Sequence, residues 1–243
     1  MKKLFFIPFL SSLLFSASSE QVEQYLTVSK ADAQLVAIEQ VFDSMRQKQE
    51  REDNNTQEIN QIYRNYLEEH LSSNEIEKLL ELYRTPIMQR YVVEMDMGEI
   101  PRSEMQNFLK TIEEEPLSTE RLDIIENILE HTIDDKQILA FYKSMTQRYQ
   151  KKSDKETDRN STKEPTKEEQ RYLDMMKQGT RNSLLYGTQV FSIEEMKELD
   201  NALKSSILSK ASKVESQAMV HVMNGFIQGI TSQPKDSNST TKK

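Results

Sequence analysis

The chain contains no cysteine, which excludes disulfides, thiol nucleophiles and thiolate metal sites together. A folded body must then rest on its core alone. Glycine and proline are scarce, five and six residues in 243, while Leu, Glu, Lys, Gln and Met are common, a balance that favours helices over turn-rich β architectures. Beyond the N-terminus no stretch approaches the roughly 18 apolar residues that span a bilayer, so no integral membrane segment is expected there. The three histidines, His70, His131 and His221, are far apart, and no H-E-x-x-H, EF-hand loop, glycine-rich phosphate loop or nucleophile elbow occurs. Positive charge is in deficit as well. The formal charge is −8, or −10 once Lys2 and Lys3 are removed, which argues against nucleic acid or an anionic membrane surface as partner.

What is present begins with an export pattern. Met1-Lys2-Lys3 is a basic start, residues 4–15 are an apolar run too short to span a membrane as a mature helix, and Ser16-Ala17-Ser18 supplies small residues. This order predicts a signal peptide over residues 1–18, cleaved after Ser18 to leave Ser19 as the mature start, and hence a periplasmic protein. A buried N-terminal helix is the competing reading. A lipoprotein would need a cysteine at the cut.

The mature region carries a repeat. Leu71-Ser72-Ser73-Asn74-Glu75-Ile76, with Leu79, Tyr83, Thr85, Pro86 and Ile87 after it, returns 120 positions on as Phe191-Ser192-Ile193-Glu194-Glu195-Met196, with Leu199, Leu203, Ser205, Ser206 and Ile207. Ser72 and Glu75, like Ser192 and Glu195, have capping-box spacing: hydroxyl and carboxylate each satisfy a free backbone N–H at a helix start. Leu71/Ile76 and Phe191/Met196 are placed for a hydrophobic staple. Thr85-Pro86 marks either a new helix with Pro at its first position or a kink in a continuous one.

Apolar spacing predicts further helices: from Leu35 through Met45, from Ile59 to Leu67, from a Ser103–Gln106 box through Ile112, then along Leu122–Leu129 and Ile138–Met145. A long stripe of Ile207, Ala211, Val214, Ala218, Val222, Phe226 and Ile230 has core spacing. Residues 138–144 and 147–149 echo 79–85 and 89–91 and suggest a degraded third copy. The expected fold class is all-α, an irregular antiparallel helical bundle built from two related helical repeats. The expected division is a first repeat region at 19–149, an exposed polar linker or loop at 150–168, a second repeat region at 169–232 and a disordered tail at 233–243.

The candidate chemistry is sparse. His131 lies near Glu130, Asp134 and Asp135, as in a carboxylate–imidazole pair or a solvated helix end. Glu113-Glu114-Glu115 fits a cation or a helix end before Pro116. The methionines at 88, 95, 97, 105, 175, 176, 219 and 223 fit copper(I) or, as no methionine-rich run develops, core filling. No cofactor and no metal site is expected. Three Asn-x-Ser/Thr acceptors stand in polar segments, Asn54, Asn160 and Asn238, each with an acid two residues earlier, Glu52, Asp158 and Asp236. This extended form resembles the sequon read by the oligosaccharyltransferase of Campylobacter-type bacteria, which implies a periplasmic N-glycoprotein.

The recurring block of capping Ser, Glu three later, a Leu stripe, an aromatic, Thr/Ser-Pro and basic residues resembles the bacterial domain-of-unknown-function 2059 family. The likeness covers roughly residues 59–97 and 172–230, with Arg90 at the basic position; Met88 and Leu208 stand where the family tends to have Gly, and Ser206 replaces the second Pro. The resemblance implies a tandem, exported helical protein and no reaction. The expected function is therefore a non-enzymatic interaction, scaffold or assembly factor of the cell envelope, its partner another envelope protein or a second copy. The alternatives are an envelope hydrolase using carboxylates such as Glu75 or Glu195, or a small-ligand carrier with an apolar groove between the repeats.

Overall fold

The computed structural model describes residues 16–31, 35, 56–95, 102–150 and 164–232. The apolar leader run, the helix expected beyond Leu35, the segment 151–163, the tail from 233, and Asn54, Asn160 and Asn238 lie outside the described residues.

Within them the chain is all-α. Its ten helices are α1 (Ser19–Ser29), α2 (Thr56–His70), α3 (Ser73–Tyr83), α4 (Pro86–Glu94), α5 (Arg102–Glu114), α6 (Thr119–Thr132), α7 (Asp135–Gln150), α8 (Lys167–Gly187), α9 (Ile193–Leu203) and α10 (Ser206–Ser232). The helix α1 is a separate element that precedes the apolar spacing from Leu35 and is not among the expected helices. Ser18 opens it with a capping box of its own: the Gln21 N–H donates to Ser18 Oγ at 3.2 Å and the Ser18 N–H to Gln21 Oε1 at 3.1 Å. Val22, Tyr25 and Leu26, one helical face, are buried. At the far end Lys30 is left-handed, φ 55, and returns its N–H to the Thr27 carbonyl.

The 120-residue period is kept by the backbone. The helices α3 and α9 begin and end at equivalent positions, and α4 and α10 start at equivalent residues, Pro86 and Ser206. Thr85 is extended and α4 begins afresh, so of the two readings of Thr85-Pro86 the separate helix holds. The break recurs at Lys204–Ser205 without a proline, so it does not require one. Two expectations fail. The segment 135–150 is one unbroken helix through Ser144, so the echo of 79–85 is not a third copy. Ser103 is the second residue of α5 and not its cap; neighbouring Glu104 accepts the Tyr186 hydroxyl at 2.7 Å instead.

The two copies, α2–α3–α4 and α8–α9–α10, interlock. The helix α10 lies against α2 and α3 of the other copy, while α4 crosses to α9. Each of the two buried cores therefore draws on both copies. One gathers Val22, Tyr25 and Leu26 of α1, Tyr63 and Leu67 of α2, Ile76, Leu79 and Leu80 of α3 and Ala211, Val214, Ala218 and Val222 of α10. The other gathers Ile87 and Met88 of α4, Ile124, Ile125 and Ile128 of α6, Leu184 and Leu185 of α8, and Phe191, Met196 and Leu199. Tyr83 and Leu208 pack against both. Burial of these side chains at about 25 cal/mol per Å² is the driving force available to a chain without covalent cross-links.

Candidate functional site

Each of the two sequence-predicted caps meets a cation from the other copy, while the predicted glycosylation sites lie outside the described residues. At the first copy the Ser72 N–H donates to Glu75 Oε2 at 2.9 Å, the Ser72 hydroxyl donates to the same oxygen at 2.9 Å, and the Glu75 N–H bonds the Ser72 carbonyl. Glu75 Oε1 takes the Nζ of Lys210, from α10. At the second copy the Ser192 N–H donates to Glu195 Oε2 at 2.7 Å and the Glu195 N–H to Ser192 Oγ at 3.2 Å. Glu195 Oε1 takes Nη1 of Arg90, from α4. Arg90 and Lys210 are themselves 120 positions apart. Each copy thus sends a cation from its third helix to the capping glutamate of the other, and the two brackets are related as the two copies are.

These contacts set the acidity of both carboxyls. Partial burial pushes Glu75 upward, but Lys210 and the Ser72 bonds outweigh it and hold the group below 4.5. Glu195 is lowered chiefly by the Ser192 N–H, with Arg90 assisting. Carboxylates so engaged are anions held in place. A general acid needs the opposite shift.

Around the second bracket the chain turns at Thr188–Phe191 under two guanidinium groups. Arg90 Nη2 donates to the Val190 carbonyl at 2.7 Å, and the same group lies over the Phe191 ring, 4.6 Å from its centre. Arg121 donates Nη1 to the Thr188 carbonyl at 2.9 Å and Nη2 to the Phe191 carbonyl.

The histidines are placed in ways their spacing did not indicate. His70 stacks on Tyr66 at 3.9 Å between centroids, and His221, from α10, lies against the same ring at 5.4 Å. His131 is exposed. The neighbouring carboxylates serve elsewhere: Asp134 accepts the Lys136 N–H at the start of α7, and Asp135 pairs with Lys177 at 2.8 Å. Glu113, Glu114 and Glu115 form an exposed helix end; of the candidate methionines, Met88 and Met223 are buried core residues, whereas Met175 and Met176 are exposed on α8 and fill no core. Among the described residues no three His, Asp or Glu side chains converge as a metal site would require.

One titratable cluster centres on a carboxyl that no motif of the sequence singles out. Glu215, on α10, accepts the Tyr25 hydroxyl at 2.7 Å. Tyr83 meets the Tyr25 ring edge-on at 5.9 Å, and Tyr63 completes the nest from α2. Burial raises Glu215 from 4.5 to about 7, while the Tyr25 hydrogen bond pulls the other way. The three phenols are raised in turn, first by burial and then by the neighbouring carboxyl. The available signal was three tyrosines at core positions, since a buried phenol requires a polar partner. Neither capping nor periodicity points to Glu215 as that partner.

Comparison of the chain with models of protein families, with curated proteins and with solved structures finds no match in any of the three.

Proposed function

We propose that the protein is exported to the periplasm and acts there as a non-enzymatic interaction or assembly factor, its partner another envelope protein, within a tandem fold of the domain-of-unknown-function 2059 type. The observation that carries this reading is the use made of the repeat's polar residues. Glu75 and Glu195, the carboxylates offered to a hydrolytic mechanism, are each occupied by a helix cap and by a cation from the other copy. Tyr83 and Leu208 sit in the seam where a carrier would need an open apolar groove. Val93 and Val190 stand 62% and 50% exposed on the two elements that Arg90 joins. In this reading they are points at which an apolar side chain of a partner would make contact.

Cross-linking in intact cells followed by affinity capture is expected to return the same envelope protein repeatedly. Repeated capture of nothing counts against the reading. The hydrolase alternative predicts that Glu75→Ala or Glu195→Ala abolishes an activity at unchanged melting temperature; the cap and bracket predict a lowered melting temperature for both. Glycans at Asn54, Asn160 and Asn238 belong to the same proposal, and an intact mass equal to the bare mature chain in a glycosylating host sinks that part.

A further inference from the structure

Residues 16–18 run extended along the turn between α2 and α3. The Ala17 N–H donates to the Leu71 carbonyl at 3.0 Å, Ser16 and Ser72 form an antiparallel bridge, and Ala17 is only 5% exposed, in the same core as Leu71. Gln21, which closes the Ser18 cap, adds a bond from its Nε2 to Ser73 Oγ at 2.7 Å. Three small residues therefore cover one short backbone edge of the first copy. At the equivalent place in the second copy the Phe191 carbonyl is filled by Arg121, a side chain anchored in α6. The second edge is closed from within the body. Among the described residues, the first is closed by the segment that ends the leader.

We propose that the Leu71–Ser72 edge is a docking site for an extended segment of a partner protein with a small residue, alanine or serine, at its centre, and that residues 16–18 occupy it until processing removes them. The proposal rests on the export reading, with the cut after Ser18. That cut removes the N–H that bonds Leu71, the methyl that fills the Ala17 seat and the hydroxyl that caps α1. It leaves a carbonyl and a methyl-sized hollow at a helix–helix turn, together with a new ammonium at the start of α1, which the helix dipole disfavours. An extended chain restores the lost backbone bond by strand addition, and the hollow selects the small side chain. Removal of the leader then frees a recognition edge that the precursor keeps covered.

The test uses the protein recovered from the periplasm, its first residue identified by mass spectrometry; Ser19 is expected. An acetylated peptide of residues 14–18 is titrated into this protein and into a chain that retains residues 16–18, with the amide signals of Leu71, Ser72 and Ser73 followed by NMR. The processed protein should show saturable shifts and the longer chain none. N-methylation at Ala17 should weaken binding about tenfold, the equivalent of one hydrogen bond. Equal shifts in both chains, no shift in the processed chain, or indifference to N-methylation overturns the proposal, as does a mature chain that begins at Ser16. A protein absent from the periplasmic fraction overturns the export reading as well; one recovered there with Met1 in place overturns the cut and with it the docking site, and one that starts at Ser19 and ignores the peptide overturns the docking site alone.

Discussion

In the first copy the bracket is Lys210 on Glu75 beside Leu71; in the second it is Arg90 on Glu195 beside Phe191. The substitutions go together. A guanidinium is planar, so Arg90 can bond a carboxylate and a carbonyl while it covers an aromatic face, and Phe191 supplies that face. An ammonium has no such geometry, and Leu71 offers it no ring. A second pair differs in size: Leu67 is fully buried in α2, whereas its equivalent is Gly187. A Cβ at Gly187 would lie 2.5 Å from Met95 Sδ and 3.1 Å from the Glu94 carbonyl oxygen. The end of α4 has taken the space that a side chain fills in the other copy. A third pair is Leu80 and Asp200. Both are buried, but Asp200 Oδ2 takes Lys204 at 2.6 Å and Oδ1 has no partner among the described residues. The common backbone therefore tolerates different local solutions, with the matching neighbour drawn from the other copy at Phe191 and Gly187 and from the adjoining turn at Asp200.

Substitutions that confuse the copies should be the most damaging. Leu67→Ala empties a fully buried site and is expected to cost about 2–5 kcal/mol in chemical denaturation. Gly187→Ala makes the opposite error. With a backbone oxygen at 3.1 Å that cannot swing away as the Met95 side chain can, it should cost about 1–3 kcal/mol; a neutral result would mean that α4 is free to move.

Glu215→Gln tests the carboxyl that has no counterpart in the first copy, where Met95 stands at the equivalent position. The folded-state pKa of Glu215 lies above its ordinary 4.5, at about 7, so the native state favours the protonated carboxyl. Its stabilising effect is fully present below pH 4.5 and is lost as pH rises to 7. The glutamine variant should accordingly be more stable than the parent at pH 8, by about 2 kcal/mol, with the gap closing toward pH 4. A gap that does not change with pH would place the carboxyl in contact with solvent.

The brackets should give the smallest effects. Arg90→Lys keeps the charge and loses the stack on Phe191, worth about 0.5–1 kcal/mol. Lys210→Arg should change little, because nothing aromatic waits for it. Equal responses at the two sites would show that the copies are closer to equivalent than their residues indicate.

The capping residues Ser72, Glu75, Ser192 and Glu195, the break at Thr85-Pro86 and the all-α class were legible because each is a local property, decided by spacing within one or two helical turns. The capping box at Ser18–Gln21 was equally local, but it adjoins residues with the composition of an export leader. The likeness of 138–144 to 79–85 misled for the converse reason: a Leu–Tyr stripe is common to any amphipathic helix, and without the cap and break it specifies no boundary.

The sequence by itself determined where α3, α4 and α9 begin and the 120-residue period, because capping and apolar spacing act between near neighbours; the start of α8, where Thr166 and Glu169 form a capping box at the end of the segment read as a linker, was missed. Tertiary structure decided that α4 and α10 cross between the copies, that Arg90 and Lys210 answer to Glu195 and Glu75, and that Glu215 meets three tyrosines. Those pairings join residues 100 or more positions apart in most cases, and which helix lies against which depends on the packing of the two cores as a whole. No short window of sequence contains that information.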